Sequence, residues 1–186
     1  MTSLSPHTIF ISPIGDFTPE LLDHVRAEIK RIYGFPTEVR SLIEDLEFAF
    51  HANRKQYHST PILEQLARKA PPDALKVLAL VQVDLFIPIL THVYGEAQLG
   101  GKACMVSTIR LNEGHRAMDT QEPYLSRIIK EAIHELGHTF KLRHCREHTC
   151  LMHYCRNEGD VDRKSDQLCR YCKVLLDDEV KRLEAK

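Results

Sequence analysis

The chain has 186 residues and a formal net charge of −1, with 26 Asp and Glu against 25 Lys and Arg. That length suits one domain with a real hydrophobic core and is too short for two full-sized ones, while the mixed charge leaves no electrostatic footprint for nucleic acid. No charged-then-apolar leader opens the sequence, and its most apolar run, Ala74 to Leu90, is interrupted by Lys76, Gln82 and Asp84, so neither secretion nor membrane insertion is indicated. A cytoplasmic protein is the expectation, and there six cysteines are thiols or metal ligands rather than disulfides.

Thr8 to Ile14 reads as a first strand, closed by Gly15, and a helix follows from Pro19 to Tyr33 with Thr18 as N-cap and Gly34 as its stop. Thr37 to Leu42 reads as a second strand, residues 47 to 60 as a loop or short hairpin, and Pro61 to Lys69 as a helix ended by Pro71 and Pro72. Leu75 to Leu85 contains the β-rich run Val77–Val83, the pattern of a strand buried on both faces. His92 to Leu99 and Ala103 to Leu111 are two further strands joined across Gly100 and Gly101. Strands alternating with helices predict an α/β (α+β) fold with a mixed, mostly parallel sheet.

From Pro123 the apolar residues Leu125, Ile128, Ile129, Ala132, Ile133, Leu136 and Phe140 recur at three and four residues, which predicts an amphipathic helix. It ends in HELGHTFKLRH, residues 134 to 144. His134 and His138 are i, i+4, so they project from one face close enough to grip one metal ion, and the spacing suits zinc. Glu135 is rotated off that line, where a carboxylate can take a proton from a metal-activated water without capturing the metal. His144 can complete a three-imidazole site that leaves one position for water and substrate. Both ligands on the helix flank the apolar stripe, at the boundary between core and cleft. The pattern describes a hydrolase.

Beyond His144 come Cys145, Cys150, Cys155, Cys169 and Cys172. Cys169 and Cys172 form a CxxC turn and Cys145 with Cys150 a wider pair, so four thiolates can close a tetrahedral structural zinc site. Cys155, five residues after Cys150, competes for a place in it. Ser165 is positioned to cap a C-terminal helix with apolar Leu168, Leu175, Val180 and Leu183, which places CxxC on the first turn, where backbone N–H groups favour thiolate. Cys104 reads as a core strand residue. A nucleic-acid-binding zinc ribbon is the rival reading of the cysteines, but the local excess of Lys and Arg is too mild to carry it.

HELGHTFKLRHC, followed by Cys150-Leu151-Met152 and Cys169-Arg170-Tyr171-Cys172, resembles the archaemetzincins, a branch of the metzincin zinc peptidases. The segments Asp84–Pro88, Val93–Ala97 and Val106–Leu111 resemble the same family, so the likeness spans Val77 to Cys172. It implies a metzincin-like peptidase fold with an active-site helix, a Met-turn and a C-terminal helix. It also implies two zinc ions: a catalytic one on His134, His138 and His144, with Glu135 as general base, and a structural one on Cys145, Cys150, Cys169 and Cys172. Met152 would be the methionine beneath the catalytic metal, and Tyr154, two residues on, would reach the zinc or the oxyanion. Where metzincins usually place the Gly that lets the helix break, this chain has Lys141. Held left-handed, it would cost about 1–2 kcal/mol.

The expected organisation is one peptidase domain over 1–186, with residues 1–142 supplying the sheet and active-site helix and 143–186 a cysteine lobe with the Met-turn and C-terminal helix. The expected partner is a peptide substrate, with no nucleic acid or membrane, bound by a monomer. The peptide would align along the edge of Val93 to Leu99, where Gly95, Gly100 and Gly101 allow close backbone approach. Glu96 would hold a substrate amine or serve as an edge charge against aggregation. Glu158 and Asp162 lie where other zinc peptidases keep a carboxylate ligand, but the stretch before them reads as loop; His148 and His153 read as exposed loop histidines. The alternative function is a non-catalytic two-zinc interaction module, favoured if Lys141 enters the cleft.

Overall fold

The computed structural model describes residues 7–112 and 122–185. Its main sheet has five strands: β1 (Thr8–Ile14), β2 (Thr37–Val39), β5 (Ala74–Val81), β7 (Gly95–Ala97) and β8 (Ala103–Ser107), in the order β2-β1-β5-β8-β7. All neighbours run parallel except β7, which pairs antiparallel with β8 and forms one edge. A second sheet joins β3 (Phe50–His51), β4 (Gln56–His58) and β6 (Leu85–Phe86). The helices are α1 (Pro19–Tyr33), α2 (Ser59–Lys69), α3 (Glu122–Thr139), the short α4 (Glu158–Arg163) and α5 (Arg170–Glu184).

Strand alternation divides the core. On β5, Leu78 and Leu80 face α1 and α3, whereas Val77, Ala79 and Val81 face α2, so the strand is buried on both sides as its composition predicts. α1 begins at Thr18, whose hydroxyl accepts from Leu21 N–H, and ends at Gly34 with φ 78°. Cys150, Leu151, Met152, Leu168, Cys172 and Leu176 pack into the same core layer as Val25, Ile29, Ile128 and Leu136. The cysteine-bearing segment is therefore continuous with the core beneath α3.

Five elements differ from expectation: the strand expected over His92–Leu99 is confined to Gly95–Ala97, and the one expected over Ala103–Leu111 ends at Ser107 and gives way to a 3-10 turn at Arg110–Asn112. The second strand stops at Val39, because Leu42 N–H turns to the Ser12 hydroxyl instead of continuing the ladder. The run Leu75–Leu85 divides after Val81: the Gln82 side chain bonds both Asp16 N–H and its carbonyl, and Leu85 then joins the second sheet. Ser165 does not cap the last helix. Its hydroxyl exchanges hydrogen bonds with Gln167, and the N-cap is Cys169, whose sulfur accepts from Cys172 N–H.

Candidate metal centres

α3 delivers His134 and His138 to the floor of a cavity of about 380 Å³, whose lining also includes Glu135, His144 and Tyr154. The helix must end sharply for His144 to return to it. Lys141 N–H bonds the His138 carbonyl at 3.0 Å and Leu142 N–H the Gly137 carbonyl at 3.0 Å, the two bonds of a Schellman stop. Lys141 occupies its left-handed position with φ 65°, where glycine is usual. Its ammonium pairs with Glu179 on α5 at 3.1 Å, and its methylenes lie against Gly100. The lysine therefore points away from the cleft, which removes the support it would have lent to a non-catalytic reading.

The imidazoles are fixed through their outer nitrogens. His134 Nδ1 donates to the Leu151 carbonyl at 3.0 Å and His138 Nδ1 to the Leu142 carbonyl at 2.7 Å. A carbonyl only accepts, so both Nδ1 atoms carry the proton and both Nε2 lone pairs turn inward, 3.1 Å apart. The ligand nitrogens of His134, His138 and His144 lie within 4.8 Å of one another. Burial lowers the proton affinity of all three rings, which favours the neutral form a metal requires. These observations fit a zinc ion with three protein ligands and an open position.

Glu135 is 7% exposed and lies against β7. Burial pushes its carboxyl well above the usual range, and nearby Glu131 adds to the effect. Gly95 makes this packing possible: a Cβ there would stand 2.5 Å from the Met105 carbonyl oxygen and 2.7 Å from Glu135 Cγ. The close approach anticipated for a substrate backbone at Gly95 is thus also needed by the Glu135 side chain. Gly95→Ala is expected to displace Glu135 and cut peptide hydrolysis on the order of 100-fold, the cost of roughly 1 Å of misplacement, with zinc content unchanged. Metal analysis alongside steady-state kinetics checks it; unaltered kcat/KM would refute the packing role.

Met152 is fully buried beneath the site, and a Cβ on Gly137 would meet its Sδ at 2.5 Å. Tyr154 is 48% exposed on the cavity wall, its ring centroid 5.0 Å from that of His144. The opposite rim runs from Ile87 to Tyr94, of which the sequence marks only Val93 and Tyr94, as part of the substrate-aligning edge. It is held by Arg54, which donates to the carbonyls of Leu90 and Thr91. Glu131, one helical turn before Glu135, also lines the cavity and pairs at 2.6 Å with the buried ammonium of Lys164. Its i, i+4 relation to Glu135 was legible, but its lysine partner, 33 residues on, was not.

Glu96 is not among the residues lining the cavity; its carboxylate accepts from the Thr60 hydroxyl at 3.0 and 3.2 Å at the start of α2. Glu158 opens α4 and Asp162 pairs with Arg127 at 2.7 Å; neither joins the imidazole group.

The sulfurs of Cys145, Cys150, Cys169 and Cys172 lie within 4.8 Å of one another, with 3.7 Å between Cys145 and Cys169. Four sulfurs at about 2.3 Å from a tetrahedral zinc stand about 3.8 Å apart, so the cluster fits that ion. Cys169 N–H points to Cys150 Sγ and Cys172 N–H to Cys169 Sγ. Burial opposes ionisation of Cys169, but the Cys172 N–H and the neighbouring sulfurs outweigh it and leave this thiol below its ordinary value. Cys155 stands outside the cluster and lines the cavity, and Cys104 is buried on β8. Cys145 N–H donates to the Met152 carbonyl at 2.8 Å, which couples the sulfur cluster to the turn beneath the imidazoles.

Residues 6–178 match the sequence profile of Peptidase family M54. The chain is 33% identical over 171 residues to the archaemetzincin of Methanocaldococcus jannaschii, covering 91% of this chain and 93% of that protein. The crystal structure of archaemetzincin from Methanopyrus kandleri superposes with a TM-score of 0.85 at 31% identity, covering 98% of this chain and all of that one. A zinc-dependent peptidase from Methanocorpusculum labreanum superposes with a TM-score of 0.80 at 28% identity, over 90% and 99% of the two chains. With two clusters that can hold two zinc ions, this chain belongs to Peptidase family M54, the archaemetzincins, and is a zinc metallopeptidase.

Proposed function

We propose that His134, His138 and His144 hold the catalytic zinc, that Glu135 is the general base, and that Cys145, Cys150, Cys169 and Cys172 hold the structural one. The observation that carries this reading is the meeting of three inward-facing imidazoles and the Glu135 carboxylate in one cavity beside a sheet edge. When bound, zinc acts as a Lewis acid toward the scissile carbonyl and makes water acidic enough to ionise near neutral pH. Glu135 takes the proton from the attacking water and returns it to the leaving amine. Tyr154, on the cavity wall beside His144, would reach the zinc or donate its hydroxyl proton to the developing oxyanion, and Met152 would support the imidazoles from below.

Over Gly95–Ala97 the outer edge of β7 pairs with no other strand among the described residues, which favours an extended peptide added there. We assign all 186 residues to one peptidase domain: 1–142 provide the sheet and active-site helix, and 143–186 the cysteine cluster, Met-turn and C-terminal helix. Among the described residues no helix is long and apolar enough to cross a membrane. In our reading the protein works in the cytoplasm as a monomer, without nucleic acid. Incubation with a defined peptide library is expected to yield products, to stop when a chelator removes zinc, and to resume when zinc is restored. Cleavage indifferent to chelation would overturn the assignment, and the product termini distinguish trimming from internal cleavage.

A further inference from the structure

We propose that His148 and His153 form a third metal site, for a late first-row divalent ion such as zinc, nickel or copper. It would lie on the outer side of the segment that links the two zinc centres. His148 is exposed and His153 partly buried; His148 Nδ1 lies 3.1 Å from His153 Nε2, with ring centroids 4.6 Å apart. Two nitrogens bound to one zinc ion at about 2.0–2.1 Å stand about 3.3 Å apart at the tetrahedral angle, so the rings need to move only slightly.

The pair repeats the arrangement of His134 and His138, whose Nε2 atoms are also 3.1 Å apart and whose centroids are 4.7 Å apart. The orienting bond is repeated as well. His153 Nδ1 donates to the Cys145 carbonyl at 2.9 Å, so its proton is on Nδ1 and its Nε2 lone pair faces His148. Without a metal, the contact between the rings requires a proton on His148 Nδ1. On binding, that ring carries its proton on Nε2 and presents the Nδ1 lone pair to the ion. Waters complete the coordination, and an imidazole-only donor set selects zinc, copper or nickel over calcium or magnesium.

Neither ring lines the catalytic cavity, and neither belongs to the three-histidine or four-cysteine group. The site is therefore independent of the catalytic assignment. Its place in the chain gives it a consequence, because the β-bridge of His153 to Cys145 adjoins both centres and Tyr154 follows directly. An ion there clamps the turn carrying His148 onto the segment that leads from Met152 to the cavity wall.

The test is calorimetric titration of nickel(II) into the full-length holoprotein with both zinc sites filled, near neutral pH. One further ion per chain is expected to bind. His148→Ala removes an exposed ring and is expected to weaken that binding at least about tenfold, since even outer partners of metal ligands are worth 10–100-fold, with zinc content still at two per chain. Nickel is also expected to raise the Tm of the wild type but not of His148→Ala or His153→Ala. Unchanged nickel affinity and stoichiometry in His148→Ala, or no nickel bound by the wild type at millimolar concentration, overturns the proposal.

Discussion

Replacing Glu135 with Gln is expected to lower kcat/KM for peptide hydrolysis by about 10²–10⁴-fold while both zinc ions stay bound, the range that one positioned proton-transfer group contributes. The amide keeps the shape that packs against Gly95 but cannot accept the proton of the attacking water. Metal retention follows from the way the ligands are fixed: His134 and His138 are oriented by the carbonyls of Leu151 and Leu142, and Glu135 takes no part in either bond. Kinetics on a cleaved peptide together with zinc analysis decide the matter. Hydrolysis at the wild-type rate would remove Glu135 from the mechanism, and loss of one zinc would recast it as a supporting group for the metal.

Cys169→Ser is expected to release one zinc per chain and to lower stability by several kcal/mol, because binding free energy at a structural zinc, on the order of 10 kcal/mol in small zinc modules, is also folding free energy. Cys169 has two roles: its sulfur belongs to the four-thiol group, and it caps α5 by accepting from Cys172 N–H. The damage should reach the imidazoles, since Cys145 N–H holds the Met152 carbonyl and the adjacent Leu151 carbonyl orients His134. Hydrolysis is therefore expected to fall together with Tm. Cys155→Ser, outside the sulfur cluster, serves as the control and should keep both zinc ions. A Cys169→Ser protein with two zinc ions and the wild-type melting curve would show that these thiols hold no metal.

Local pattern determined much of this protein before any tertiary contact was considered. α1 runs over the predicted Pro19–Tyr33 between Thr18 and Gly34, because an N-cap hydroxyl and a left-handed glycine act within one turn of chain. The HELGH stretch places two imidazoles on one helical face for the same reason: an i, i+4 spacing is geometry the backbone supplies alone. The left-handed Lys141, by contrast, is expected only from the family resemblance, which places a helix-breaking glycine at that position.

Other features depended on distant partners. Which four cysteines gather, with Cys155 left in the cavity wall, was settled by how the segment after His144 folds beneath α3. Glu96 went to Thr60 and Glu131 to Lys164, each across more than thirty residues, and no local spacing announces such pairs. Ser165 had the right chemistry for a cap, but helix entry was moved to Cys169, whose sulfur is held among the other thiols. The sequence by itself determined the chemistry-bearing groups and the helix that presents them, because periodicity and capping act over a few residues. Only the tertiary structure decided which distant side chains complete, shield or avoid the site, because burial and charge pairing depend on what the fold brings into contact.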